Sequence, residues 1–263
     1  MKQQQNGHTN GHGGSTTFVT ARAPLDPRAL MTGKRIVLLG GTGFLGKIFT
    51  SLLLYRFPEL GRVYLLVRKG KYASPEARFF ESIATSETFR PLREKHGDGF
   101  EAFLRDKVVP IDGDVSLPLC GIDVAALGPC DAVVNVAGVV DFNPPLDEAL
   151  DANAFGAQNL VALAKALAPA VLMHTSTCYT AGFRKGPILE EDVGVHPFPR
   201  SDQLGKQLCD PERELADCLD VIAQAKHREG DAFRQSEFRE TAKKNLLKPG
   251  EPTVGAPLES ELA

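Results

Sequence analysis

The chain has 263 residues, a formal net charge of −3 and 43% hydrophobic residues. This length supports one sizeable core with appendages. The charge balance gives no footing for a nucleic-acid partner, and no apolar run is long enough to span a bilayer.

Residues 1–22 are rich in Gln, Asn, Gly, His, Ser and Thr. Such a segment buries too little apolar surface to offset ordering, so a disordered tail is expected, without the apolar stretch of a signal peptide. His8 and His12 lie in it without a third ligand nearby, and no metal site is expected. Strand–helix alternation begins at Lys34. A first strand is predicted over 34–39, a helix to about 57, a second strand over 63–67, and a mixed helical region over 75–104. A third strand follows over 108–111, a fourth over 132–136, a long helix over 145–167 and a fifth strand over 170–175. The strands read as apolar throughout, as strands covered by helices on both faces should. The expected fold is therefore α/β, a doubly wound parallel sheet. Residues 183–208 read as loop. Residues 211–247 read as charged and helical, broken near Gly230, with Phe233, Phe238, Ala242 and Leu246 as a sparse apolar stripe. This part is expected to pack over the sheet's ligand edge. Its charges are mixed in sign, which makes weak contact with a membrane surface the lesser alternative. Residues 248–263 read as a frayed tail.

The strand Arg35-Ile-Val-Leu-Leu39 runs into Gly40-Gly-Thr42-Gly43-Phe44-Leu45-Gly46, and a helix follows. In a G-x-x-G-x-x-G turn, the first glycine permits the tight turn and the second lets backbone amides approach a pyrophosphate. The third lets the helix lie close on the sheet. The helix N-terminus offers unpaired N–H groups and a positive dipole to phosphate. A dinucleotide site is expected at residues 40–46. Arg68 and Lys69 follow the second strand, about 20 residues beyond, where an NAD enzyme places an acid. A basic pair suits the 2′-phosphate of NADP(H). Asp114, at the end of the third strand, is placed to accept from an adenine amino group, with helix capping as its competing role. Ala137 and Gly138 are small residues where a dinucleotide should pass. Ser176 and Thr177 end the fifth strand, where a hydroxyl can donate to a carbonyl oxygen that gains negative charge, or merely satisfy local backbone groups. Cys120, Cys130, Cys178, Cys209 and Cys218 show no Cys-x-x-Cys spacing. They read as reduced thiols of a cytoplasmic protein, Cys178 as a small buried residue rather than a nucleophile.

The glycine run, Leu65-Leu-Val-Arg68, Gly113-Asp114-Val, Asn153-x-x-Gly156-x-x-Asn159-Leu and His174-Thr-Ser176-Thr177-Cys-Tyr-Thr-Ala-Gly182 together resemble the extended short-chain dehydrogenase/reductase family. Within it they look most like the fatty acyl-CoA reductases, or male-sterility-type domains, and the related thioester reductases. The match covers about residues 33–185, and the charged stretch after it is similar to an insertion of the bacterial enzymes. The resemblance implies NADPH-dependent reduction of a fatty acyl thioester to aldehyde or alcohol, with Thr177 as hydroxyl donor and Ser176 as runner-up. It also implies a Tyr-x-x-x-Lys pair. Four residues beyond Tyr55, Tyr64, Tyr72 and Tyr179 stand Glu59, Arg68, Glu76 and Phe183. The chain is therefore expected to be the N-terminal part of a reductase, a dinucleotide domain over 33–185 and an insertion or lid over 186–263, cut before that helix. The competing readings are a non-catalytic NADP-binding sensor or scaffold, and an epimerase- or dehydratase-type reductase acting on a nucleotide sugar.

Overall fold

A computed structural model describes residues 25–141, 143–167, 170–181, 186–187, 210–229 and 240. The expected tail over 1–22, His8, His12, Cys209, nearly all of the 183–208 loop, the Gly230 break, the Phe233–Leu246 stripe and the 248–263 tail lie outside the described residues.

A short helix α1 (Pro27–Met31) comes first. It went unpredicted although its start carries a plain signal: Asp26 accepts from the Arg28 and Ala29 N–H groups, and Pro27 occupies the first turn. Then come β1 (Arg35–Leu39), α2 (Phe44–Arg56) and β2 (Arg62–Leu66). The mixed helical region resolves into α3 (Pro75–Arg78), a π-helical segment Phe79–Ile83, α4 (Arg90–His96) and α5 (Phe100–Lys107). β3 (Val108–Ile111), α6 (Val124–Leu127) and β4 (Ala132–Asn135) follow. The long predicted helix is continuous but not uniform. It comprises α7 (Leu146–Ala149), a π-helical stretch Leu150–Phe155 and α8 (Gly156–Ala166). The last elements are β5 (Val171–His174) and α9 (Pro211–Glu229). Among the described helices none is long and apolar enough to cross a membrane.

The five strands form one parallel sheet in the order β3-β2-β1-β4-β5. Val37 of β1 pairs with Tyr64 of β2 and with Val133 of β4. Alternation along β1 explains the two cores. Ile36 and Leu38 face one layer with Leu53 and Leu54 of α2, Phe79, Phe89 and Leu104. Val37 and Leu39 face the other, with Leu160 and Leu163 of α8 and Leu127 of α6. Both faces of β1 are thus buried, which is why its sequence is apolar without a break.

Two expectations fail at the far edge. β5 reads as apolar and covered, yet Val171 and Met173 are 67% and 45% exposed. Cys178, expected to be buried, is exposed. One feature bears on both: among the described residues β5 pairs with β4 alone and so lies at one edge of the sheet.

Candidate functional site

The strand order reverses between β1 and β4, and the carboxyl ends of these strands border the crevice where doubly wound sheets take their ligands. The glycine turn lies there. Gly40 has φ +83°, and a Cβ on it would stand 2.6 Å from the Val136 carbonyl carbon. A Cβ on Gly46 would stand 2.6 Å from the Gly41 Cα. Both contacts are backbone, so neither position has room for a side chain. Gly43 is different. Its backbone is extended, and its Cβ would meet only the Gly40 oxygen, at 3.4 Å. The protein's own packing does not require a glycine at this point. The residue caps α2 without any side-chain hydrogen bond, and Gly43, Phe44 and Leu45 are exposed. The 13-residue helix thus opens onto the switch point with an N-terminus that no side chain caps, the kind of helix end that can receive an anion, and Gly43 leaves the space before it clear. Thr42 is half-buried at the mouth of the turn.

One strand over, Arg68 and Lys69 follow β2. Arg68 is 76% exposed and pairs with the Asp114 Oδ2 at 3.2 Å. The sequence reading overlooked Arg78, whose guanidinium donates to the Arg68 carbonyl and so adds a third cation at this strand end. Asp114 follows β3 and is already engaged. Its Oδ1 accepts from the Ser116 N–H at 3.0 Å and the Ser116 hydroxyl at 2.9 Å. Desolvation pushes its carboxyl upward, but the Ser116 bonds and the Arg68 charge outweigh this and hold it below the usual carboxylate range. Its backbone N–H donates to the Cys120 carbonyl. Burial, with Asp114 adding to it, pushes the Cys120 thiol up to about 11, which makes it an inert core residue.

The Asn153-x-x-Gly156-x-x-Asn159 motif acquires a mechanical meaning. Asn153 lies in the π-helical stretch, accepts from the Val139 N–H at 2.9 Å and donates to the Val139 carbonyl at 3.1 Å. It clamps the loop carrying Ala137 and Gly138. One turn on, Gly156 lies close to Val115, and Asn159 donates to the Val115 carbonyl at 2.9 Å. A single helix edge therefore holds both the loop after β3 and the loop after β4. Ser176 and Thr177 follow β5, and the Thr177 hydroxyl oxygen accepts from the Tyr179 N–H at 3.2 Å. Lys226 of α9 pairs with Asp147 of α7 at 2.9 Å, which places the charged helix beside the helix that follows the β4 loop.

The strand order, the open helix N-terminus at the crossover and the cationic end of β2 define a doubly wound domain built for a nicotinamide dinucleotide. An NAD-binding family model described as male sterility protein matches residues 38–243, and the chain belongs to that family. It is 34% identical over 192 residues to a probable fatty acyl-CoA reductase 5 of Arabidopsis thaliana, covering 70% of this chain and 38% of the relative. It is 27% identical to the chloroplastic fatty acyl-CoA reductase 2 of the same plant, covering 80% of this chain and 35% of the relative. The chain thus spans little more than a third of the length of these relatives. Among solved structures, the terminal R domain of the myxalamid biosynthetic pathway aligns with a TM-score of 0.45 and 27% identity, covering 60% of this chain and 38% of that one.

Proposed function

We propose that this chain is the NADP(H)-binding N-terminal part of a fatty acyl-CoA reductase, with residues 33–185 as the dinucleotide domain and 186–263 as a loop and charged helical part beside it. One observation carries the reading: an anion cradle at Gly43 and a cation cluster at Arg68, Lys69 and Arg78 lie on neighbouring strands of the same sheet edge. A pyrophosphate flanked by a second phosphate is the ligand such a pair fits.

NADPH, when bound, would supply the hydride that, with departure of the thiol, would convert an acyl thioester into an aldehyde. The backbone of Gly40, Gly43, Phe44, Leu45 and Gly46, with Thr42, receives the pyrophosphate. Arg68 and Lys69 take the 2′-phosphate, with Arg78 holding the strand end that carries them. Asp114 faces the adenine, and Ala137 and Gly138 leave room along the crevice. Thr177, with Ser176 beside it, donates to the carbonyl oxygen as charge builds there. The fatty acyl-CoA reductases among the relatives favour an acyl thioester over a nucleotide sugar. The competing reading is a non-catalytic NADP-binding module. A cytoplasmic location accords with cysteines that are free wherever they are described.

Titration of the chain with NADPH and NADH tests the reading, with tighter NADPH binding expected. With NADPH and long-chain acyl-CoA, residues 1–263 should turn over at least about 10²-fold more slowly than a version extended through a Tyr-x-x-x-Lys helix, because a positioned general acid is worth that much. In the extended version, Thr177→Ala should lower turnover more than NADPH affinity. Absence of NADPH binding overturns the proposal. Robust turnover by residues 1–263 overturns the division of labour and makes Tyr179 the next proton donor to test.

A further inference from the structure

Asn135 closes β4 with only 2% of its surface exposed. Its Oδ1 accepts from the Ala137 N–H at 3.1 Å. Its Nδ2 has two hydrogens: one goes to the Ala137 carbonyl at 3.1 Å, the other to His174 Nδ1 at 3.1 Å. Both are then used, and an amide nitrogen has no lone pair with which to accept. The His174 Nδ1 must therefore present a lone pair, which puts the ring proton on Nε2. The main chain repeats the link, since the Asn135 carbonyl accepts from the Thr175 N–H at 2.9 Å. One buried side chain thus grips the Ala137 turn, which abuts Gly40, and the strand end that leads to Ser176 and Thr177.

We infer that Asn135 and His174 form a positioning pair. Asn135 fixes His174 as the neutral Nε2–H tautomer, and His174 holds the Asn135 amide against Ala137. The turn facing the dinucleotide and the hydroxyl-bearing segment after β5 thereby keep one relative position. Among the described residues β5 has β4 as its one strand neighbour, so the link adds to that pairing. The inference rests on the dinucleotide reading above. His174 is exposed at the sheet edge, so replacing it leaves both cores intact.

The test uses the full chain with ¹⁵N-labelled histidine, together with NADPH titrations. The His174 Nδ1 resonance should fall in the unprotonated range and Nε2 in the protonated range. Asn135→Asp offers only acceptors, and it should move the His174 Nδ1 into the protonated range. His174→Ala should weaken NADPH binding about 3–10-fold, the worth of one lost neutral hydrogen bond. His174→Asn, which keeps an acceptor where Nδ1 stood, should restore most of that affinity. A His174 protonated on Nδ1 in the unsubstituted chain overturns the pair. So does unchanged NADPH affinity in His174→Ala, or an Asn variant as weak as the Ala variant. A chain that folds with the expected tautomer but binds no dinucleotide overturns the proposed function and the coupling, while the tautomer lock itself stands.

Discussion

β1 and β5 belong to the same sheet yet live in different surroundings. Val37, Leu38 and Leu39 are sealed between two helical layers, whereas in β5 Val171, Met173 and His174 are exposed and Leu172 is half-buried. The difference separates two tasks. The dinucleotide turn hangs from the most tightly packed strand, so its backbone is set before any ligand arrives. The segment after β5 hangs from a strand with one described neighbour, and it is tied to Asn135 by the His174 contact and by the Thr175 N–H. On the proposed function, preorganisation would be built into the binding half and borrowed by the half that carries the hydroxyls.

The largest expected effect breaks this comparison if it is wrong. Gly46→Val forces a branched side chain into the backbone of the turn. Overpacking against rigid main chain should cost about 3 kcal/mol or more. At the edge, Met173→Thr should stay within roughly 0.5 kcal/mol, as exposed substitutions do. Urea unfolding followed by circular dichroism measures both, and equal losses would erase the contrast between the strands.

Next in size is a binding effect without a folding effect. Gly43→Val, at the one glycine of the run with room for a side chain, should unfold like the parent and fail to bind NADPH. Unaltered binding by a folded variant would reduce the glycine run to a turn. Arg68→Asp removes a charged phosphate partner and adds repulsion. A lost hydrogen bond to a charged group is worth about 10–100-fold, so NADPH affinity should fall by that factor with little change for NADH. Parallel losses for both dinucleotides would remove Arg68 from the phosphate site.

What could be read from the chain follows the range of each interaction. The five strands and the glycine turn are local patterns, and the strand boundaries fall within a residue or so of expectation. Asn153 and Asn159 stand out as a motif, but their work is done on backbone groups 14 and 44 positions away, which no spacing rule shows. Arg78 was hidden in a run of helical residues because its acceptor is a main-chain carbonyl ten positions earlier. Asn135 lies in a strand that reads as apolar, and its partner His174 stands 39 positions on. The errors at Cys178 and β5 share a cause as well. Residue type reports average burial, and an edge is a property of the whole sheet.

The smallest expected effect concerns the base of the sheet, opposite the crevice. Asp131 precedes β4, accepts from the Arg35 N–H at 2.9 Å and pairs with Lys34 at 2.7 Å. The backbone bond from Arg35 foremost, then the Lys34 ammonium, holds its carboxyl below the ordinary value of 3.8, against the opposing pull of desolvation. A depressed folded-state pKa means that the unfolded chain takes up the proton first as pH falls. The stabilisation is therefore fully present above the unfolded value and fades as pH drops below 3.8 through the folded one. Asp131→Asn should lower the unfolding temperature at neutral pH, and the gap to the parent should close in acid. The pair is partly exposed, so salt should narrow the gap at neutral pH too. A gap that stays constant from neutral to acid pH would mean that Asp131 ties β1 to β4 by shape and neutral hydrogen bonding rather than by charge.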